Sequence, residues 1–116
     1  MELSYGVHRT FVADHYHDLP GFIEARHGHN WSLEASCWLT EESDQRLLAE
    51  AIDGWVLKLD YTLLNDQTVL KDRNPTAELL AQWACEFLLE RGLRVQHIKI
   101  KEKMNYWAIC RPHGNP

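Results

Sequence analysis

Apolar and polar positions alternate over residues 3–13, where Leu3, Tyr5, Val7, Phe11 and Ala13 share one side. They alternate again from residue 31, where Trp31, Leu33, Ala35, Cys37 and Leu39 stand opposite Ser32, Glu34, Ser36 and Thr40. A period of two predicts two strands of a half-buried antiparallel sheet. Between them, HYHDLPGFIEAR contains Pro20 and Gly21, which interrupt regular structure and predict a long loop rather than a tight hairpin turn. After TEES, with Ser43 or Asp44 as N-cap, Leu47, Leu48, Ala51, Ile52, Trp55, Val56 and Leu59 recur at helical spacing, with Gly54 weakening the middle. A second helix is signalled by NPTAE: Pro75 suits the first turn, Asn74 or Thr76 can cap, and Leu79, Leu80, Trp83, Phe87 and Leu88 form a stripe that stops at Gly92. Alternation returns in VQHIKIKE and YWAIC, which predict two more strands. The expected order is ββααββ, a four-stranded antiparallel sheet with both helices on one face, and its open edges favour pairing with other copies of the chain.

The 116 residues suit a single domain spanning 1–116, and 45% hydrophobic residues with five Trp exclude a disordered chain. No stretch is apolar for long enough to cross a bilayer and MELSYGVHRT lacks a signal peptide's apolar centre, so the expectation is a soluble, cytoplasmic protein without a membrane partner. Lys and Arg total 12 against 17 Asp and Glu, a net charge of −5, and no basic run could neutralise a phosphate backbone, which argues against nucleic acid. Cys37, Cys85 and Cys110 are odd in number and far apart, so they are expected to be reduced core residues.

The chemistry is concentrated in histidine, because His15, His17, His27 and His29 fall within fifteen residues. In an extended chain His27 and His29 point to the same face, with Gly28 between them allowing a close approach. His15, at the end of the preceding strand, could bring a third imidazole, the set typical of a catalytic zinc with one open coordination position. Spacing alone does not separate this from ordinary surface histidines. Nor does it separate His15 from His17, which could equally face solvent or support a ligand from behind.

Five motifs carry a resemblance, in order along nearly the whole chain: Phe11-Val12-Ala13-Asp14-His15, then His27-Gly28-His29-Asn30-Trp31, then Leu59-Asp60, NPTAEL at 74–79, and Lys101-Glu102. Together they resemble the 6-pyruvoyltetrahydropterin synthase family, which includes the 6-carboxytetrahydropterin synthases (QueD). The resemblance implies an α+β tunnelling fold (T-fold) with a ββααββ subunit, sheets joined around a three-fold axis, and a homo-oligomer, trimer or hexamer. It implies Zn2+ on His15, His27 and His29, and Glu102 as the anchor of a pterin ring, since one carboxylate can accept two parallel hydrogen bonds from the ring N–H and the exocyclic amine. It also places Thr76 at the pterin pocket, across a subunit boundary, although the segment has an ordinary use as a helix cap.

The departures from the family bear on activity. The usual cysteine position, four before HGH, is Ile23, and Glu24 forms ExxHGH, which resembles a subgroup that cleaves the side chain of 7,8-dihydroneopterin, or its triphosphate, to 6-hydroxymethyl-7,8-dihydropterin. A carboxylate beside a metal can act as general base, whereas an isolated glutamate in a polar loop is normally a solvated charge. Tyr61 follows Asp60 where the family has a histidine that relays protons, and a phenol with pKa near ~10 is a poor base at neutral pH. Asp60 and Tyr61 are thus either catalytic or a capping and packing pair. The expected function is a zinc-dependent carbon–oxygen or carbon–carbon lyase on a reduced pterin with Glu24, Asp60 and Tyr61 at the chemistry. The alternative is a non-catalytic zinc- and pterin-binding homologue.

Overall fold

The two alternating segments form strands longer than their patterns: β1 is Ser4–Leu19 and β2 is Phe22–Trp38. The computed structural model describes residues 1–19 and 22–113. β1 and β2 pair antiparallel from Ser4 opposite Trp38 to Leu19 opposite Phe22. The loop expected over residues 15–26 is therefore strand on both sides, and the Pro20-Gly21 interruption lies outside the described residues. One reason β1 extends is a side chain that imitates a neighbouring strand. Asn65 Oδ1 accepts from Tyr16 N and Asn65 Nδ2 donates to the Tyr16 carbonyl, both at 3.0 Å, so the open edge of the extension keeps its backbone groups satisfied.

Helix α1, Asp44–Leu59, packs on β1, and α2, Ala77–Glu90, packs on the hairpin of β4, Val95–Lys103, and β5, Tyr106–Cys110. A two-residue strand absent from the expected order, β3 at Thr62–Leu63, pairs parallel to β1 opposite Ala13 and Asp14. It is too short to carry a period. The sheet order is β3-β1-β2-β4-β5, the α+β architecture expected with one edge strand added. One face of the sheet supplies Phe11, Trp31, Leu33, Ile98 and Ile100 to the core, and the helices cover it with Leu48, Ile52, Trp55 and Leu59 from α1 and Leu80, Ala84 and Leu88 from α2.

Of the two caps weighed for each helix, Ser43 precedes α1 without a side-chain cap bond, whereas Thr76 caps α2, its Oγ1 accepting from Leu79 N at 3.2 Å. Asn74 instead accepts from Asp18 N at 3.3 Å and ties the start of α2 to the far end of β1. Gly92 closes α2 with φ 81°, a left-handed conformation that glycine adopts without strain. All three cysteines are free; burial pushes the Cys37 and Cys85 thiols up to about 12, so neither is a thiolate nucleophile at neutral pH. Among the described residues no helix is long and apolar enough to cross a membrane.

Candidate functional site

The buried face of the sheet changes from apolar to polar as it runs past Trp31. On β1 the inward residues continue from Phe11 and Ala13 to His15 and His17; on β2 they run back from Trp31 to His29 and His27; on β4 they run from Ile98 and Ile100 to Glu102. The same alternation that builds the core therefore delivers its polar end. His15 lies directly opposite His27, and His29 opposite Ala13. Trp31, fully buried, is the floor: His15 and His29 meet it edge-to-face with ring centroids 5.2 and 5.6 Å away, and its Nε1 donates to the Ala13 carbonyl at 3.1 Å.

For His15 and His27 the hydrogen bonds fix which imidazole nitrogen faces the cluster. His15 Nδ1 donates to the Pro75 carbonyl at 2.7 Å and His27 Nδ1 to the Ala25 carbonyl at 2.7 Å, since a carbonyl can only accept. Both Nε2 atoms are thereby left with lone pairs, and these lie 3.0 Å apart. Glu102 Oε1 is 3.2 Å from His15 Nε2 and 3.0 Å from His29 Nε2, and the His29 atom is buried without a hydrogen bond. Burial lowers the pKa of His15 and of His29, against the opposing pull of Glu102, which favours neutral imidazoles. The facing lone pairs of His15 and His27 have no proton between them and repel, and a cation between them turns the repulsion into ligation. Donors of this type fit zinc, and the carbonyl partners behind His15 and His27 are the usual outer support of a ligating histidine. His15, His27, His29 and Glu102 could hold a metal ion, their donor atoms all lying within 4.8 Å of one another.

Glu24 reaches this cluster because the strand is irregular. Strict alternation would send residues 24 and 27 to opposite faces, but the register shifts between His15 and His17: His15 faces His27, whereas His17 faces Glu24. Two residues, Ala25 and Arg26, thus stand against Tyr16 alone, and this β-bulge turns Glu24 inward. Its Oε1 lies 3.3 Å from His27 Nε2 and 3.9 Å from His17 Nδ1. Ile23, the neighbouring position, is 79% exposed. His17 is not solvent-facing: it is 8% exposed, ring edge against His15, and lies in β1 rather than in a loop. A cavity of about 290 Å³ opens beside the cluster, lined by His17, Glu24, Glu78, Glu102, Lys103 and Tyr106 among others.

Two expected residues are elsewhere within the chain. Asp60 caps the end of α1 and its Oδ1 accepts from Val12 N at 2.9 Å, while Tyr61 is 83% exposed in a left-handed conformation, φ 59°. Neither touches the histidines through any contact found among the described residues; both stand beside β3. Thr76 spends its hydroxyl on the α2 cap, but the Pro75 carbonyl just before it holds His15, so this segment abuts the cluster of its own chain. The close approach at Gly28 is made by Asp14: a Cβ on residue 28 would sit 2.7 Å from Asp14 Oδ1, the carboxylate that pairs with Arg26 at 2.9 Å. Lys103 and Tyr106 carry no motif; their signal was position, just past Glu102 and at the start of YWAIC.

A family model described as 6-pyruvoyl tetrahydropterin synthase matches residues 5–113. A protein of Archaeoglobus fulgidus named 6-carboxy-5,6,7,8-tetrahydropterin synthase is 29% identical over 117 residues, covering 95% of this chain and 96% of its own. The solved 6-pyruvoyl tetrahydropterin synthase of Caenorhabditis elegans superposes with a TM-score of 0.80 at 15% identity, covering 97% of this chain and 96% of that one. A Plasmodium vivax 6-pyruvoyltetrahydropterin synthase, in which a glutamate described as catalytic is replaced by cysteine, gives 0.76 at 12% identity, covering 97% and 98%.

Proposed function

The chain belongs to the 6-pyruvoyl tetrahydropterin synthase family, and from that premise we propose that this pterin-modifying lyase is zinc-dependent and cleaves the side chain of 7,8-dihydroneopterin or its triphosphate with Glu24 as base. The observation that carries the reading is the bulge that turns Glu24, and not Ile23, toward the histidines, with its Oε1 3.3 Å from His27 Nε2. A glutamate is also the residue described as catalytic in the Plasmodium vivax protein.

His15, His27 and His29 would hold the zinc, which when bound supplies a Lewis acid that polarises a side-chain oxygen. Glu102 takes the ring by accepting from its N–H and its amine, which sets the side chain in the cavity beside Glu24. Glu24 Oε1 accepts the proton of a side-chain hydroxyl as the adjacent carbon–carbon bond breaks, the hydroxyl-bearing fragment leaves as an aldehyde, and Glu24 returns the proton to the carbon left on the ring; His17 Nδ1 lies 3.9 Å from the same carboxylate. Asp60 and Tyr61 lie outside their own chain's cluster, and their catalytic role is proposed in a neighbouring subunit's site across the β3 edge of a trimer or hexamer. The competing reading, a homologue that binds zinc and a pterin without turnover, is favoured by the exposure of Tyr61.

One experiment separates the two. Zinc-loaded protein incubated with 7,8-dihydroneopterin, and separately with its triphosphate, is expected to give a 6-hydroxymethyl product by chromatography. Glu24→Gln keeps the size of the side chain but removes the basic oxygen, so turnover should fall by ~10²-fold or more with little change in pterin affinity. Pterin binding without product in the unaltered protein would establish the non-catalytic reading. Full activity in Glu24→Gln would remove Glu24 from the chemistry.

A further inference from the structure

Three strands carry the inward side of the sheet from the core into the site, and β5 does the same with an aromatic residue. Residues 106, 108 and 110 share one side of this strand, and Ala108 and Cys110 pack against the core. Tyr106 continues that side past the point where it is covered. It is 68% exposed and lines the cavity of about 290 Å³ that also takes in Glu24, Glu78 and Glu102. Its neighbour Trp107 borders the same cavity but turns its ring to the other face of the sheet, where the Lys99 and Lys101 ammonium groups lie 4.7 and 5.8 Å from the ring centre.

The cavity is therefore unevenly equipped. Three carboxylates and the Lys103 ammonium can grip the rim of a bound molecule, but none of them offers a flat surface, and Ala77 adds a single methyl group. The imidazole of His17, a flat ring on the same side, is buried with its edge against His15. Tyr106 supplies an aromatic face that is open to the cavity.

Resting on the reading that a pterin enters this cavity, we propose that Tyr106 is the platform on which the flat ring of the pterin lies, so that the site selects for the planarity of the ring as well as for the hydrogen-bonding pattern of its edge.

Stacking covers apolar surface on both partners and adds the attraction of offset rings, which an exposed phenol in water does not have. For nucleobases, fused or single heterocycles of similar kind, such a platform is worth ~5-fold or more in affinity. The contact does not depend on which acid of the cavity takes the ring's edge, because stacking acts on the face of the ring and hydrogen bonds act in its plane. It also tells apart forms that the acids cannot. The half of a pterin that carries the ring N–H and the exocyclic amine is alike in the aromatic and tetrahydro forms, so a carboxylate grips both in the same way. The other half is flat in the aromatic form and puckered in the tetrahydro form, and a puckered ring loses contact with a flat platform.

The test compares neopterin with 5,6,7,8-tetrahydroneopterin. Calorimetry on the zinc-loaded protein, with air excluded for the reduced form, measures both affinities in the native chain, Tyr106→Phe and Tyr106→Leu. Leucine keeps apolar bulk for any contact with a neighbouring subunit but removes the aromatic face, and thermal melts with light scattering show that each variant is folded and assembled as the native protein is. The native protein should bind the flat form more tightly. Tyr106→Phe should keep that preference, whereas Tyr106→Leu should bind neopterin ~5-fold or more weakly and lose most of it. With 7,8-dihydroneopterin as substrate, Tyr106→Leu should raise KM and leave kcat unchanged, since the platform holds the ring equally in ground and transition states. Equal native affinity for the two forms would overturn the proposal and leave the functional reading standing, and so would a folded Tyr106→Leu variant that binds neopterin as the native chain does. If Tyr106→Leu fails to fold or assemble, the native comparison and Tyr106→Phe decide: a preference kept in both supports stacking, and one lost in Tyr106→Phe overturns it. A native protein that binds neither form would overturn the functional reading and the platform together.

Discussion

Trp31→Phe tests whether the histidine cluster is held up by the core beneath it. Trp31 is fully buried, stacks on Phe11 with centroids 6.0 Å apart, supports His15 and His29 edge-on, and donates to the Ala13 carbonyl at 3.1 Å. Phenylalanine keeps the first ring but withdraws the second. The lost apolar area, roughly 40–50 Å² at ~25 cal/mol per Å², is worth about 1 kcal/mol. The void left behind, roughly 40 Å³ if the neighbours do not collapse, adds about 1 kcal/mol. The lost indole N–H leaves a buried carbonyl one bond short, for about 1 kcal/mol more. The total is about 3 kcal/mol, a large share of the ~5–15 kcal/mol by which domains of this kind are stable.

The assay is urea denaturation of metal-free protein at fixed protomer concentration, where the midpoint should fall with the slope unchanged. A second measurement makes the experiment specific to the site. With the benzo ring gone, His15 and His29 lose the surface that sets their tilt, and zinc affinity should drop ~10-fold or more at temperatures where the variant is fully folded. A destabilisation below ~1 kcal/mol together with undiminished zinc affinity would refute the claim that Trp31 organises the cluster.

The purified chain should carry about one zinc, and His27→Ala should lose it, because removal of one imidazole leaves a donor set too small to hold the ion tightly; undiminished zinc by elemental analysis would refute the ligand set. For assembly, light scattering at micromolar concentration should give a trimer or hexamer, since among the described residues β3 and β5 are the end strands of the sheet, each with one open edge, and exposed aromatics on the β5 hairpin, Tyr106 and Trp107, are poor residues to leave in water. A monomer would count against joined sheets.

Where period and structure agree, the sequence was readable in detail. Phe11, Ala13, Trp31, Leu33, Ile98 and Ile100 alternate inward as written, and both helices turn the stripes that their spacing marks toward the core, except for Leu47 at the start of α1, which is 44% exposed. The His27 and His29 pair was legible for the same reason, since β2 is regular between them. What escaped was long-range or irregular. The strand extension past residue 15 is supported by Asn65, 49 residues away from Tyr16, whose amide satisfies the edge of a segment that the sequence, with Pro20 and Gly21 in it, marks as a loop. β3 is two residues long and is held by pairing with β1 rather than by its own pattern.

The site itself divides along the same line, and the division explains why its carboxylates were harder to place than its histidines. An imidazole on a regular strand needs only parity, and His15, His27 and His29 are all odd-numbered residues on strands whose buried sides are odd. Glu24 is even, so parity alone sends it to solvent, and a one-residue shift in the β1–β2 register is what reverses it. Glu102 obeys the parity of Ile98 and Ile100, but the register shift beside it frees it from a fixed cross-strand partner. A bulge costs ladder hydrogen bonds and leaves no composition signature, so it persists where re-aiming a side chain offsets that loss. Here one lies at each carboxylate of the cluster. The histidines are thus fixed by the regular part of the sheet, and the carboxylates of Glu24 and Glu102 sit where the sheet is least regular. A regular strand pair holds the imidazoles at fixed spacing, while each bulge lets the acid beside it be aimed independently of that spacing.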